Sequence, residues 1–145
     1  MDPLQSYCTF HLDALYLGID VLSVQEVIRD QQMTPVPLAP ASIRGLMNLR
    51  GEIVTALDLR TELELPPNPN AAAPMNVVVR TSDGPVSLLV DRIGDVLELA
   101  PEDRETPPDT LAPAVRNIVE HVFKLEDRLL LTLDVNKLLA ASAAP

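Results

Sequence analysis

The chain has 145 residues, which suits one domain or two small lobes that share a hydrophobic core. Hydrophobic residues make up 47% of it, which argues against global disorder, whereas only 3% of residues are aromatic, too few for a stacking surface for single-stranded nucleic acid. The formal net charge of −10 would repel phosphate backbones and anionic membrane surfaces, and therefore argues against nucleic-acid binding and direct membrane insertion.

Short β-strands joined by tight turns are predicted along most of the chain. Prolines cluster at 35–40, 66–74 and 101–113 and mark connectors, because proline is rare inside sheets and helices. Asp-Gly at 83–84 is a strong hairpin signal, and Gly51 can adopt the positive φ of a second turn. Many short strands with regular turns are typical of barrels or sandwiches. The predicted strand pairs are 7–12 with 15–19, 46–49 with 53–57, 75–80 with 86–90, and 119–125 with 129–133.

Three short helices are predicted between the strands. Apolar residues from Val21 to Ile28 have helical spacing, which predicts a helix over 21–28. Asp58 and Asp134 each follow a predicted strand and are placed to cap the N-termini of two further helices. Those helices are predicted over 59–63 and 135–139.

Three loose matches, which occur in the same order in both halves of the chain, indicate an internal repeat. Their offsets are 76, 71 and 72 residues, and a longer hairpin in the second half would absorb the difference. Two similar β lobes are therefore expected, with a boundary in the proline-rich segment at 66–74. The matched segments are 53–59 with 129–135, 19–22 with 90–93, and 43–44 with 115–116.

The repeat predicts a single domain at 6–140 that consists of two lobes, at about 6–66 and 74–140, followed by a short tail at 141–145. A lobe of this size is too small for a comfortable independent core, so the two lobes should bury apolar surface against each other. Their junction should form a groove, and grooves between lobes are common binding sites.

No catalytic or metal-binding motif is present in the sequence. It contains no G-x-G-x-x-G, no phosphate loop and no G-x-S-x-G elbow. His11 and His121 are interpreted as ordinary strand residues, because they are not spaced as a metal pair. Cys8, the single cysteine, is interpreted as a small buried apolar residue. The sequence therefore predicts no catalytic residue, no metal site and no cofactor.

The segment at 43–54 contains two glycines, one asparagine and two arginines in a predicted strand-turn-strand. Arg50 stands beside the turn residue Gly51, and an exposed arginine with a packed stem is typical of an interface anchor. The alternative is a hairpin whose turn is merely polar. Glu26 is a candidate to orient Arg50 through a charge-assisted pair, although it could equally be a solvated helix residue.

At these residues the sequence resembles a known family. The run Arg-Gly-Leu-Met-Asn-Leu-Arg-Gly at 44–51, with Asp-Leu-Arg at 58–60, resembles the signature of CheW-type chemotaxis coupling proteins. Collinear segments at 18–28, 86–96 and 129–139 are similar to further elements of that family, so the resemblance covers nearly the whole chain. It implies a mainly β fold of two SH3-like five-stranded β-barrels packed on a shared core, with a few short helices.

The resemblance also implies a non-catalytic adaptor without a cofactor. Such an adaptor joins the cytoplasmic tip of methyl-accepting chemoreceptors to the regulatory domain of the CheA-type histidine kinase, and the receptor's helical hairpin docks between the barrels. The kinase-facing residues cannot be assigned from the sequence. The candidates for receptor contact, carried over by position, are Val24, Glu26, Gly45, Asn48 and Arg50.

A cytoplasmic protein that is recruited to receptor arrays at the inner membrane is expected, because the sequence has no secretory signal and no apolar run long enough to span a membrane. Two alternatives stay open. The first is a related adaptor in a surface-motility or biofilm pathway, and the second is an unrecognised hydrolase.

Overall fold

The computed structural model describes residues 3–29, 31–66 and 74–142, so much of the predicted boundary segment lies outside the described residues. The fold is mainly β, as expected. Its strands are β1 Gln5–Leu12, β2 Leu15–Asp20, β3 Val24–Ile28, β4 Ile43–Leu49, β5 Glu52–Asp58, β6 Met75–Thr81, β7 Gly84–Val90, β8 Arg92–Leu99, β9 Arg104–Glu105, β10 Val119–Lys124 and β11 Leu129–Leu133. Its helices are α1 Leu59–Glu62, α2 Pro113–Arg116 and α3 Val135–Ser142, with 3-10 turns at Val21–Ser23 and Pro101–Asp103.

The strands form two sheets. Sheet one has the order β8-β1-β2-β11-β10-β9, and sheet two has the order β3-β6-β7-β5-β4. Sheet two has the five strands that were expected, whereas sheet one has six because the two-residue strand β9 pairs with β10. All four predicted hairpins are present as antiparallel pairs.

The two sheets do not follow the predicted division at 66–74. Sheet one combines β1 and β2 with β8 to β11, and sheet two combines β6 and β7 with β3 to β5. Strands β3 to β5 follow the hairpin β1–β2 in sequence but belong to the sheet of β6 and β7. In the same way, β8 to β11 follow the hairpin β6–β7 but belong to the sheet of β1 and β2. The lobes predicted at 6–66 and 74–140 are therefore corrected to two sheets that exchange strands.

The register of the sheets confirms one of the three repeat offsets and corrects the other two. Thr55 lies opposite Val86, and Leu131, which follows Thr55 by 76 residues, lies opposite Leu17. The hairpin turns give an offset of 69 residues independently, because Leu12 pairs with Leu15 in one and Thr81 pairs with Gly84 in the other. With this offset Leu17 is equivalent to Val86, so their partners Leu131 and Thr55 are equivalent too. The offset of 76 is therefore confirmed, and 69 replaces the predicted offset of 71. The predicted match of 43–44 with 115–116 is wrong, since it aligns the start of β4 with α2.

The predicted helix over 21–28 is wrong beyond its first turn. Asp20 accepts a hydrogen bond from the Leu22 amide at 2.9 Å and caps a 3-10 turn of three residues, after which the chain continues as β3. The β-branched residues of β3 favour an extended backbone and pair with β6. The predicted caps Asp58 and Asp134 are confirmed, because each accepts a hydrogen bond from the amide two residues ahead of it.

One hydrophobic core lies between the sheets, as the small size of each half requires. Helices α1, α2 and α3 each contribute to it, and α2 begins with a proline, which is favoured at that position. None of the helices in the described part of the chain has the length and apolar character needed to cross a bilayer. The strand residues of this core include Phe10, Leu12, Leu17, Ile19, Leu131 and Leu133 from sheet one, and Leu57, Val77, Val79, Leu88 and Val90 from sheet two.

A buried arginine connects the sheets at one end of this core. Arg60 of α1 donates two hydrogen bonds to Asp91, which lies between β7 and β8, from Nε to Oδ1 at 2.8 Å and from Nη2 to Oδ2 at 2.6 Å. It also bonds to the Pro66 carbonyl oxygen and approaches Asp13 in the β1–β2 turn. The Arg60 side chain is only 11% exposed, so its charge depends on these partners.

Replacing Arg60 with alanine should lower the free energy of unfolding by about 3–5 kcal/mol, because the largely buried ion pair is broken and the half-buried Asp91 carboxylate loses its partner. Urea denaturation of the full chain measures the loss. The matched control is Arg44→Ala, which breaks an exposed pair with Asp58 and should cost at most about 1 kcal/mol. Equal losses for the two variants would contradict a structural role for the Arg60 ion pair.

The same ion pair should contribute to stability in a pH-dependent way. Hydrogen bonding to Arg60 lowers the pKa of Asp91, so the ionised carboxylate stabilises the fold at neutral pH. This contribution is lost as the pH falls through the depressed pKa. The difference in unfolding free energy between the wild-type chain and Asp91→Asn should be largest at neutral pH and shrink on acidification, and a difference that does not change with pH would contradict this assignment.

Candidate interaction site

Arg50 and Glu26, which are 24 residues apart in sequence, form a bidentate ion pair. The Nη1 and Nη2 atoms of Arg50 donate to the two carboxylate oxygens of Glu26, at 2.5 and 2.8 Å. The side chain of Arg50 is 75% exposed and that of Glu26 is 18% exposed. The predicted pairing is therefore confirmed, and it fixes the guanidinium in one orientation at the surface.

This ion pair closes sheet two. Glu26 lies on β3 and Arg50 lies in the turn between β4 and β5, and β3 and β4 are the opposite edges of the sheet. In a flat sheet of five strands these edges would be about 19 Å apart. A backbone bridge between Thr34 and Leu46 also links the segment after β3 to β4. Sheet two is therefore curled, with its two edges held together at the candidate site.

The turn that carries Arg50 has an unusual backbone. Arg50 and Gly51 both have positive φ, 52° and 86°, as in the two-residue hairpins that match the twist of a sheet. The Asn48 side chain accepts a hydrogen bond from the Gly51 amide at 2.8 Å and stabilises this turn. Asn48 thus has a direct structural role in positioning Arg50.

Electrostatics keep the pair ionised. The hydrogen bonds from Arg50 lower the pKa of Glu26, and the same contacts raise the pKa of Arg50. Both groups are therefore charged at neutral pH. Arg50 uses two of its five N–H donors on Glu26 and keeps the others for solvent or a partner.

Gly45 and Val24 differ from the other three candidates in their surroundings. A Cβ atom on Gly45 would lie 2.7 Å from the carbonyl oxygen of Thr34, so this position requires glycine for close backbone approach. Val24 is half-buried and packs against the shared core. The structure thus brings Glu26 and Arg50 into contact, while Asn48 and Gly45 support the backbone around them.

Thr34 is a supporting residue that the sequence does not reveal. Its amide and carbonyl groups both hydrogen-bond to Leu46 at 2.8 Å, across a gap that Gly45 leaves open. Nothing in the proline-rich segment at 35–40 indicates that the residue before it pairs with β4. Gly45 was the only available signal, since a glycine inside a strand often marks close backbone approach.

The family model described as the CheW-like domain matches residues 6–143. The chain belongs to the CheW-like family. It is 28% identical over 137 residues to the chemotaxis protein CheW of Treponema pallidum, covering 92% of this chain and 81% of that protein. It is 30% identical over 137 residues to the chemotaxis protein CheW of Klebsiella aerogenes, covering 94% of this chain and 82% of that protein.

A solved structure supports the CheW-like fold. The crystal structure of the scaffolding protein TtCheW from Thermoanaerobacter tengcongensis matches with a TM-score of 0.84 and 24% sequence identity. The match covers 95% of this chain and 89% of that one. The exchange of strands between two sheets is therefore the architecture of a CheW-like domain, and the expected fold class is confirmed.

Replacing Gly45 with alanine should destabilise the fold by about 1–3 kcal/mol, because the added methyl group forces the Thr34 backbone away from β4. Urea denaturation measures the change. Gly51→Asn is the matched control: it adds a side chain where no other atom lies within 4 Å, and asparagine tolerates positive φ. Its cost should come only from backbone strain, about 1 kcal/mol, and the hydrogen bonds between Thr34 and Leu46 should stay intact in it. A harmless Gly45→Ala variant would contradict the close-approach role.

Proposed function

We propose that this protein is a non-catalytic adaptor that couples methyl-accepting chemoreceptors to a CheA-type histidine kinase. The observation that carries the proposal is the match of the CheW-like domain to residues 6–143, since the relatives found with it are chemotaxis proteins. The adaptor would work at the cytoplasmic tips of the receptors, within arrays at the inner membrane.

Arg50 is proposed as the principal receptor contact. Its guanidinium is exposed and held in a fixed orientation by Glu26, so little side-chain entropy would be lost when a partner binds it. Its remaining N–H groups suit a carboxylate or carbonyl oxygen on a receptor helix. Three further residues would act through Arg50. Glu26 would orient its guanidinium, Asn48 would stabilise its turn, and Gly45 would allow the close approach of β4 to Thr34. Val24 lies on the same strand as Glu26 and would add an apolar contact.

The mechanism follows from the rigidity of the shared core. A receptor helix that docks at the junction of the sheets would lie in a groove, which is a common mode of helix recognition. Because the sheets exchange strands and share one core, a kinase bound elsewhere on the surface would be held in a fixed geometry relative to the receptor. Weak individual contacts would be strengthened by the multivalency of an array.

Arg50→Glu should abolish co-sedimentation with receptor-bearing membranes while the fold is retained. It should also abolish receptor control of kinase activity when kinase, receptor fragment and this chain are reconstituted together. The reason is that the substitution reverses the exposed charge and places two carboxylates side by side. Amide spectra or urea denaturation verify that the variant is folded.

The matched control is Arg116→Glu, which makes the same charge change on α2, at a side chain that is 49% exposed. It should behave like the wild type. The double variant Glu26→Arg with Arg50→Glu rebuilds an ion pair with reversed partners and should remain defective, because the receptor contact is still lost.

Normal co-sedimentation of Arg50→Glu would overturn the site. Reconstituted kinase activity that does not depend on this chain would overturn the function.

A further inference from the structure

A second surface feature lies on sheet one, away from Arg50 and Glu26. A groove of about 300 Å³ opens between the β1–β2 turn, the β10–β11 hairpin and the segment before α2. We call it the sheet-one groove. Its apolar lining is formed by Ala14, Leu15, Leu111, Leu129 and Leu131, and its polar lining by His11, Tyr16 and Arg128.

The groove has partly exposed aliphatic side chains on its walls. Leu129 is 38% exposed although it begins a strand whose other residues are buried. Leu15 and Leu111 are half-buried beside it and pack only partly against the core. The groove is therefore an apolar depression that a protein side chain could fill.

One wall of the groove is cationic. The guanidinium carbon of Arg128 stands 3.8 Å from the centre of the Tyr16 ring, so the cation is held over the aromatic face. Among the described residues, its ion pairing is limited to a long contact of 3.8 Å with Asp127, whose side chain is 82% exposed. Arg128 is itself 47% exposed and keeps most of its donors free for a partner.

A second arginine, Arg92, lies near the groove but does not line it. Arg92 lies opposite His11 in the pairing of β8 with β1, and its charge helps to lower the pKa of the neighbouring Asp91 carboxylate. The ring of His11 stacks against Tyr16, with ring centres 4.9 Å apart. Burial, with Arg92 and Arg128 in addition, lowers the pKa of His11, so His11 is neutral at pH 7 and the charge within the groove comes from Arg128.

In the described part of the chain, the one side chain that brings a charge to the lining of the groove is basic, although Asp13 and Asp127 stand next to lining residues in the sequence. No aspartate or glutamate lines it, although the chain has 21 acidic residues and only 11 basic ones. We propose that the sheet-one groove binds an acidic, leucine-bearing segment of a partner protein. A carboxylate of that segment bonds to Arg128, and an aliphatic side chain fills the space between Leu15, Leu111 and Leu129.

A protein segment fits this site better than other anionic partners. Nucleic acids and anionic membranes present extended arrays of phosphate, which the net charge of −10 repels over the rest of the surface. A short segment with one or two carboxylates meets only the local cations. This surface is separate from the proposed receptor contact, because Arg50 and Glu26 belong to sheet two.

The test is a titration of the isotope-labelled full chain, followed by amide chemical shifts. The probe is a short soluble peptide composed of leucine and glutamate, and the comparison peptide has lysine in place of every glutamate. The glutamate peptide should shift the amides of Leu15, Leu111 and Leu129, with an effect that weakens as salt is added. The lysine peptide should not shift them, even though the acidic protein favours it electrostatically elsewhere.

Arg128→Glu should weaken binding of the glutamate peptide by about tenfold or more. Arg92→Glu should weaken it less, since Arg92 does not line the groove. The matched control is Arg29→Glu, an exposed arginine after β3, which should bind like the wild type. No localised shift with the glutamate peptide, or equal shifts with both peptides, would overturn the proposal. Arg128-dependent binding to phosphatidylglycerol vesicles without peptide binding would overturn it in favour of a membrane contact.

Discussion

The burial of apolar surface decides this architecture. Neither half of the chain can enclose a core by itself, so each half contributes its first hairpin to one sheet and its later strands to the other. Four pairings connect the two halves: β5 with β7 and β11 with β2, which are parallel, and β3 with β6 and β8 with β1, which are antiparallel. The resulting core contains residues from both sheets and all three helices. At one end of this core, the ion pair between Arg60 and Asp91 connects the two sheets.

The internal repeat makes the candidate site easier to interpret, because the two copies differ there. The register of β3 and β8 makes Asp95 the equivalent of Glu26. Asp95 is exposed and forms no ion pair with any described residue, and a longer turn replaces the one that carries Arg50. The bidentate pair of Arg50 with Glu26 therefore has no counterpart at the equivalent position among the described residues of sheet one. Sheet one instead has an arginine stacked on Tyr16 beside an apolar groove.

Local features could be predicted from the sequence, whereas pairing between distant strands could not. The hairpins and the caps Asp58 and Asp134 depend on neighbouring residues, and all of them are present. The helix predicted over 21–28 failed because valine and isoleucine at helical spacing also suit a strand, and only the edge of β6 decides between them. The exchange of strands was not predictable, since the internal repeat indicates two separate lobes and does not show which strands pair across the halves.

The same distinction applies to the site. The ion pair of Arg50 with Glu26 was predictable, because an arginine beside a turn glycine is typical of an exposed anchor and a carboxylate can orient it. Thr34 was not, and neither was the buried position of Arg60, since a charged residue after a helix cap is usually solvated.

The exchanged strands also determine how this molecule can lose its structure. Sheet one cannot unfold while sheet two stays folded, because each sheet contains strands from both halves of the chain. Such long-range pairing is slow to assemble and tends to melt in one step. Neither half of the chain can therefore unfold by itself, so partial unfolding cannot absorb a displacement imposed on one part of the surface.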